Sequence, residues 1–218
     1  TVSFYKYVII KDPFSIRDQL YAAWNKLGVF GRIYIAKEGI NAQLSLPENN
    51  WVKFSRDLKA IELFSDILFK EAIEDDGKSF FKLTIKVRTK IVADGLSESE
   101  YDVTNVGNHL DAEQWNKAIN DGAVVVDMRN HYESEIGRFK GAICPDVETF
   151  KEELPYVKKK LEKQKKKKIL LYCTGGIRCE KASAYLKHHG FKDVNQLHGG
   201  IIDYAKQIKE NNLENKFI

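Results

Sequence analysis

The chain has 218 residues, of which 43% are hydrophobic and 30% charged, with a net charge of +4 and three cysteines. That length suits two domains, and the composition is that of an ordinary globular protein with ample core. It excludes a membrane-spanning helix, because no run of about eighteen apolar residues occurs. An odd, small cysteine count argues against a disulfide framework, and a mild charge gives no announcement of nucleic-acid binding by bulk alone. The first six residues lack the apolar core of a secretory leader, so the cytoplasm is the expected compartment. The absence of an initial Met leaves room for a trimmed segment.

Residues 4–10 are aromatic and β-branched and predict a strand. Asp12 offers an N-cap and Pro13 a first helical position. Phe14, Leu20, Ala23, Trp24 and Leu27 follow at near-helical spacing, and Gly28 ends that helix. Residues 32–36 and 39–46 predict two strands, the second with Ile40, Ala42, Leu44 and Leu46 on one face. Trp51, Phe54, Leu58 and Ile61 mark a second amphipathic helix, and residues 80–92 a closing strand. The β-α-β-β-α-β order predicts a ferredoxin-like α+β domain over residues 1–95, the plan also used by acylphosphatases. In the closing strand Lys82, Lys86, Arg88 and Lys90 alternate with Phe81, Leu83, Ile85 and Val87, which places four cations on one face. Such a stripe is either a solvated sheet face or a track for a nucleic-acid backbone.

Polar, glycine-containing residues 96–109 predict a linker. Residues 110–218 then read as α/β. A helix from Asp111 presents Trp115 and Ile119, and strands are predicted at 123–127, 141–144, 169–172 and 193–197. Helices are predicted at 147–164, after the cysteine loop to Gly190, and from Gly199-Gly200 onward. Strands separated by helices imply a parallel sheet whose site lies at the strands' carboxyl ends.

Cys173-Thr174-Gly175-Gly176-Ile177-Arg178 stands between the strand at 169–172 and the following helix. Two glycines let the backbone curl with its amides inward, the helix start adds partial positive charge, and Arg178 adds a full one. These conditions lower a thiol pKa, so Cys173 is the expected nucleophile and Arg178 its partner. Four residues separate them where cysteine phosphatases use five, a ring that suits a persulfide or small anion better than a phosphate ester. Cys179 is either a resolving thiol for Cys173 or an occupant of a small-residue position. Cys144 is expected in the core, and three cysteines without paired spacing speak against a zinc site. Asp127, at the end of a buried strand, needs loop amides or an arginine as partners. The lysines at 158–160 and 165–168 read as solvated helix ends, with an RNA contact as the alternative.

With these residues identified, residues 110–210 resemble a rhodanese domain. The resemblance rests on Val125-Val126-Asp127-Met128-Arg129, Tyr132-Glu133, the run from Gly137 to Ala142, the cysteine loop, and Leu197-His198-Gly199-Gly200-Ile201. It implies that Arg129 and Glu133 pair close to the cysteine. The segment Ala36-Lys37-Glu38-Gly39-Ile40-Asn41, ahead of a half carrying Cys-Thr-Gly-Gly-Ile-Arg-Cys-Glu-Lys, makes the whole chain similar to the bacterial tRNA wobble-uridine hydroxylase family. That resemblance implies oxygen-dependent conversion of a wobble uridine to 5-hydroxyuridine, with Cys173 required and the anticodon arm of tRNA gripped by the first domain. It implies molecular oxygen as co-substrate, and a sulfur- or electron-donor protein as a further partner. It also implies a cysteine-rich tail beyond Ile218. No nucleotide-binding or flavin fingerprint and no metal site is legible. Two other functions compete: a sulfurtransferase working through a Cys173 persulfide, and a binding module whose cysteine senses oxidation.

Overall fold

Residues 1–72, 79–97 and 100–218 are described by the computed structural model, and they fall into two units, Thr1–Ile91 and Val92–Ile218. In the first unit the strands are β1 (Val2–Tyr7), β2 (Phe30–Ala36), β3 (Gly39–Ser45), β4 (Lys70–Glu71) and β5 (Leu83–Val87), and the helices α1 (Pro13–Lys26) and α2 (Trp51–Lys59). The sheet order is β4-β1-β3-β2-β5, antiparallel except for β2 beside β5. β4-β1-β3-β2 is the expected ferredoxin-like arrangement, closed by the short β4, and β5 is an additional strand laid parallel to β2 at the opposite edge.

Local signals explain most of it. The Asp12 carboxylate accepts from the amides of Phe14 and Ser15, each at 3.1 Å, with Pro13 in the first helical turn. Strand alternation sends Phe4, Ile33, Ile35, Ile40, Ala42 and Leu44 to one face, where Leu20, Trp24, Phe54 and Leu58 of the two helices cover them. Phe4, Trp24 and Phe54 meet ring to ring at 5.2–6.4 Å. Gly39 is irreplaceable at its turn: its φ is 144°, and a Cβ there would lie 2.0 Å from the Lys6 carbonyl oxygen. Beside it, Glu38 accepts from the Ile91 amide at 2.7 Å and fastens the end of the unit.

Two expectations are corrected. Phe14 is 61% exposed, because only Pro13, Leu20 and Trp24 of α1 are buried. The strand expected at 80–92 is Leu83–Val87, because its neighbour β2 offers partners only from Gly31 to Ile35, and it adds to the plan rather than closing it, since Lys70–Glu71 takes the place beside β1. Phe81 therefore lies outside the strand and is 85% exposed.

The second unit contains β6 (Asn108–Leu110), α3 (Ala112–Asn120), β7 (Val124–Asp127), α4 (His131–Ile136), α5 (Phe150–Lys160), β8 (Lys168–Tyr172), α6 (Ile177–His188), β9 (Asp193–Leu197) and α7 (Gly200–Glu210). Its parallel sheet has the order β6-β9-β8-β7. Trp115, Phe139, Tyr172 and Tyr204 form the aromatic centre of its core. The predicted strand at 141–144 is reduced to one bridge, Ile143 beside Val126. Among the described residues no helix is long and apolar enough to cross a membrane.

The stretch read as a linker, of which Glu98 and Ser99 lie outside the described residues, belongs to this second unit. Tyr101 and Val103 are buried, and Asn108 and His109 join the sheet as part of β6. The cause is a fully buried ion pair just before it: Lys181 of α6 donates to Asp94 at 2.8 Å and to the Val92 carbonyl at 2.7 Å, and Tyr101 donates to Asp94 at 3.1 Å. Polar composition marked these residues as loop, whereas Lys187 of α6 holds the Asn105 side chain and the Val106 carbonyl at 2.6 and 2.7 Å, and the Gly107 amide donates to Ser183 at 2.9 Å. Removing one member of a buried pair costs about 3–5 kcal/mol. Lys181→Ala is therefore expected to lower the urea midpoint strongly, and Lys181→Met with Asp94→Asn to recover part of the loss. An unchanged midpoint in Lys181→Ala would contradict the pairing.

Candidate active site

β8 delivers Tyr172 and Cys173 at its carboxyl end, and α6 starts four residues later. Gly176 caps α6 with a φ of 96°, a conformation that costs a side chain dearly. It turns its amide onto the Cys173 sulfur at 3.1 Å. The opposite side of the loop is clamped by α7. Ile201 and Ile202 donate to the carbonyls of Cys173 and Thr174 at 3.0 and 3.3 Å, and a Cβ on Gly200 would stand 2.5 Å from both oxygens. In trans peptides, drawing those carbonyls toward α7 turns the attached amides away from it. The Gly199-Gly200 signature thus exists to let a helix start press on the cysteine loop.

Cys173 has no exposed surface. Burial alone would raise its pKa, but the Cys179 thiol, the Arg178 charge, and the amides of Cys179 and Arg178 outweigh it and bring it to about 6. Cys179, also fully buried, moves the other way: burial and the adjacent Cys173 hold its proton well above the usual thiol range. Cys179 stands as a thiol that donates toward Cys173.

Arg178 does not point into the ring. Its guanidinium meets Glu133 at 3.0 and 3.4 Å, while the Thr174 hydroxyl donates to the same carboxylate at 2.7 Å. Glu133 also closes a capping box at the start of α4, accepting from the Asn130 amide at 3.2 Å. Burial pushes Glu133 upward, yet Arg178 and Thr174 hold it below the ordinary carboxylate range. The expected pairing of Arg129 with Glu133 is corrected here. Arg129 instead grips Asp127 at 2.8 and 2.6 Å, donates to the Gly137 carbonyl at 2.6 Å, and lies over the Tyr172 ring at 5.5 Å. Asp127 also receives the Tyr172 hydroxyl at 2.7 Å and the Arg129 amide at 3.1 Å. The reason is reach: Arg129, two residues past Asp127, folds back onto it, which leaves Glu133 for the loop.

Thr174, Gly175, Gly176, Ile177 and Cys179 thus surround Cys173, with Glu133 and Arg178 on one flank and Asp127 and Arg129 behind Tyr172. Cys144 stands apart, half-buried, with its thiol toward the Ala142 carbonyl at 3.7 Å. Among the described residues no group of three or more His, Cys, Asp or Glu is arranged for a metal ion. The cationic candidates belong to the first unit. Lys82, Lys86 and Arg88 are exposed, but Lys90 is drawn 3.8 Å from Glu38 and is only 11% exposed, so the four do not share one open face. The strand ends at Val87, and alternation ends with it. The lysines at 158–160 close α5, and Lys165 pairs with Glu162 at 2.8 Å.

Sequence reasoning missed Glu153. It lies on the buried face of α5 with Phe150, Leu154 and Val157, is 2% exposed, and has an Oε1 without a hydrogen-bond partner. Burial pushes its pKa up to about 9, opposed by Arg178 and reinforced by the negative groups at Asp127, Cys173 and Glu133. The available signal was a glutamate at an apolar position of the i, i+3, i+4, i+7 pattern.

Residues 1–91 match the UPF0176 acylphosphatase-like domain and residues 111–207 the Rhodanese-like domain. The sulfur site at the carboxyl end of a parallel sheet is thus that of a rhodanese-like domain, preceded by an acylphosphatase-like one. Over its whole length the chain is 59% identical to a tRNA uridine(34) hydroxylase of Leptospira interrogans, of which it covers 59%, and 53% identical to one of Yersinia enterocolitica, of which it covers 63%. The chain spans about three-fifths of the length of these curated relatives. A solved Rhodanese-like domain from Anabaena aligns over 45% of this chain and 73% of its own at 20% identity, with a TM-score of 0.37.

The neutral Glu153 makes a prediction about pH. Its folded pKa lies above the unfolded value, so its contribution is fully present below about pH 4.5 and is lost as pH rises toward about 9. Glu153→Gln, which cannot ionise, is expected to gain stability relative to the unaltered chain across that interval in paired urea melts. Parallel pH profiles for the two proteins would contradict a buried neutral carboxyl.

Proposed function

We propose that the protein hydroxylates uridine 34 of tRNA, the wobble position, to 5-hydroxyuridine with molecular oxygen, in the cytoplasm, and that Cys173 is indispensable. The observation that carries this reading is 59% identity over all 218 residues to a relative of that name. The low pKa of Cys173 supplies the chemistry. A thiolate that adds to C6 of uracil makes C5 electron-rich, and C5 is the carbon that receives the hydroxyl. One oxygen atom goes to C5, and the other is released as water after taking two electrons and two protons. A separate electron donor therefore belongs to the reading. When C5 loses its proton, the sulfur leaves C6.

Because Cys173 is fully buried, loop 174–177 opens to admit the base in this reading. An anticodon-loop base is already partly unstacked, which keeps its extrusion inexpensive. Arg178 holds charge beside the sulfur, and Glu133 positions Arg178. Lys82, Lys86 and Arg88 supply phosphate contacts for the anticodon arm.

The burial of Cys173 within a four-residue ring favours a second reading, sulfur transfer through a persulfide. The readings separate cleanly. Deleting the gene is expected to reduce tRNA 5-hydroxyuridine to background by mass spectrometry, with rescue by the intact gene and none by its Cys173→Ala form. Unchanged hydroxyuridine in the deletion would contradict hydroxylation, and efficient cyanide-dependent thiocyanate formation by the purified protein would favour sulfur transfer.

A further inference from the structure

The face of the first sheet turned away from its helices is not a generic solvated surface. Register aligns Tyr5, Asn41, Tyr34 and Lys86 in one row across β1, β3, β2 and β5. Two residues along, Ser3, Gln43, Arg32 and Thr84 form a second row. Their sequence neighbours Phe4, Ile33, Ile40, Ala42 and Ile85 are all buried in the core on the other side. Arg88 sits over the Tyr34 ring at 5.5 Å and Lys70 over the Tyr5 ring at 5.6 Å. Neither row contains a carboxylate. A groove of about 400 Å³ runs along β2 and β5, bordered by Arg32, Tyr34, Phe80, Phe81, Lys82 and Lys86.

From this arrangement we infer that the open sheet face binds an unpaired RNA strand, with a base stacked on Tyr34, its edge within reach of Asn41 or Gln43, and its phosphates neutralised by Arg32 and Lys86. The inference rests on the tRNA reading above and adds to it a platform, a strandedness and a stacking residue. Three properties select this occupant. Aromatic rings accept the π-face of any base, side-chain amides match base edges, and cations placed beside the rings match the backbone. Tyr5 and Tyr34 stand two strand spacings apart, about 10 Å, so Asn41 lies between two aromatic positions. A duplex hides its base faces and gains nothing from those rings, and an acidic peptide would use the cations alone.

Fluorescence anisotropy with the whole chain tests this, using a labelled single-stranded 12-mer of uridine, an RNA duplex of equal length, and a poly-glutamate peptide as competitor. The single strand is expected to bind more tightly than the duplex and to resist the peptide. Tyr34→Ala is expected to weaken it by at least about 5-fold, with Tyr34→Phe close to the unaltered protein. Lys86→Ala is expected to lower the salt slope by about one. Circular dichroism melts confirm that each variant is folded, and Arg32→Glu provides a second disruption should Tyr34→Ala melt early. Equal binding by Tyr34→Ala, equal or tighter duplex binding, displacement by poly-glutamate, or no RNA binding at all would each overturn the platform. The hydroxylase reading stands or falls separately, on the 5-hydroxyuridine content of the deletion strain.

Discussion

A sulfur anion with no exposed surface is costly unless donors surround it, and this requirement organises the second unit. The Gly176 amide, the start of α6, the Cys179 thiol and Arg178 supply the donors. Gly176 takes a left-handed conformation that costs a side chain, and a Cβ on Gly200 would collide with the Cys173 and Thr174 carbonyl oxygens. Two glycine signatures separated by more than twenty residues therefore serve one atom.

The carboxyl groups around that atom are sorted by their partners. Glu133 is tied to Arg178 and Thr174, Asp127 to Arg129 and Tyr172, and Glu153 is held neutral chiefly by its burial. With the first two paired, a negative sulfur faces little uncompensated repulsion. The Lys181–Asp94 pair adds a mechanical constraint on the same helix, fixing α6 to a residue just ahead of the stretch that sequence composition presents as a tether. In the first unit the organising constraint is alternation: one face of the sheet is consumed by the core, which frees the other for tyrosines, amides and cations.

Much of this was legible in the sequence where the signal is local. Asp12-Pro13, the alternation of β3 and the strand-loop-helix around Cys173 each carry their structural cause within a few residues. Partnership across the fold was not legible. Choosing Asp127 over Glu133 for Arg129 depends on a two-residue fold-back that motif spacing does not encode. The burial of Glu153 depends on what α5 packs against. The row from Tyr5 to Lys86 joins residues up to 81 positions apart, and only strand register reveals it. Reading cations along one strand placed Lys90 on the open face with Lys86, because the strand was assumed to continue past Val87.

The central claim is that Cys173 is a thiolate at physiological pH, and its absorbance near 240 nm measures this directly. Titrating the chain between pH 4 and pH 10, with Cys173→Ser subtracted, isolates the one sulfur in question from Cys144 and Cys179. The account predicts a single transition near pH 6. A transition in the ordinary thiol range around 8.5 would contradict it.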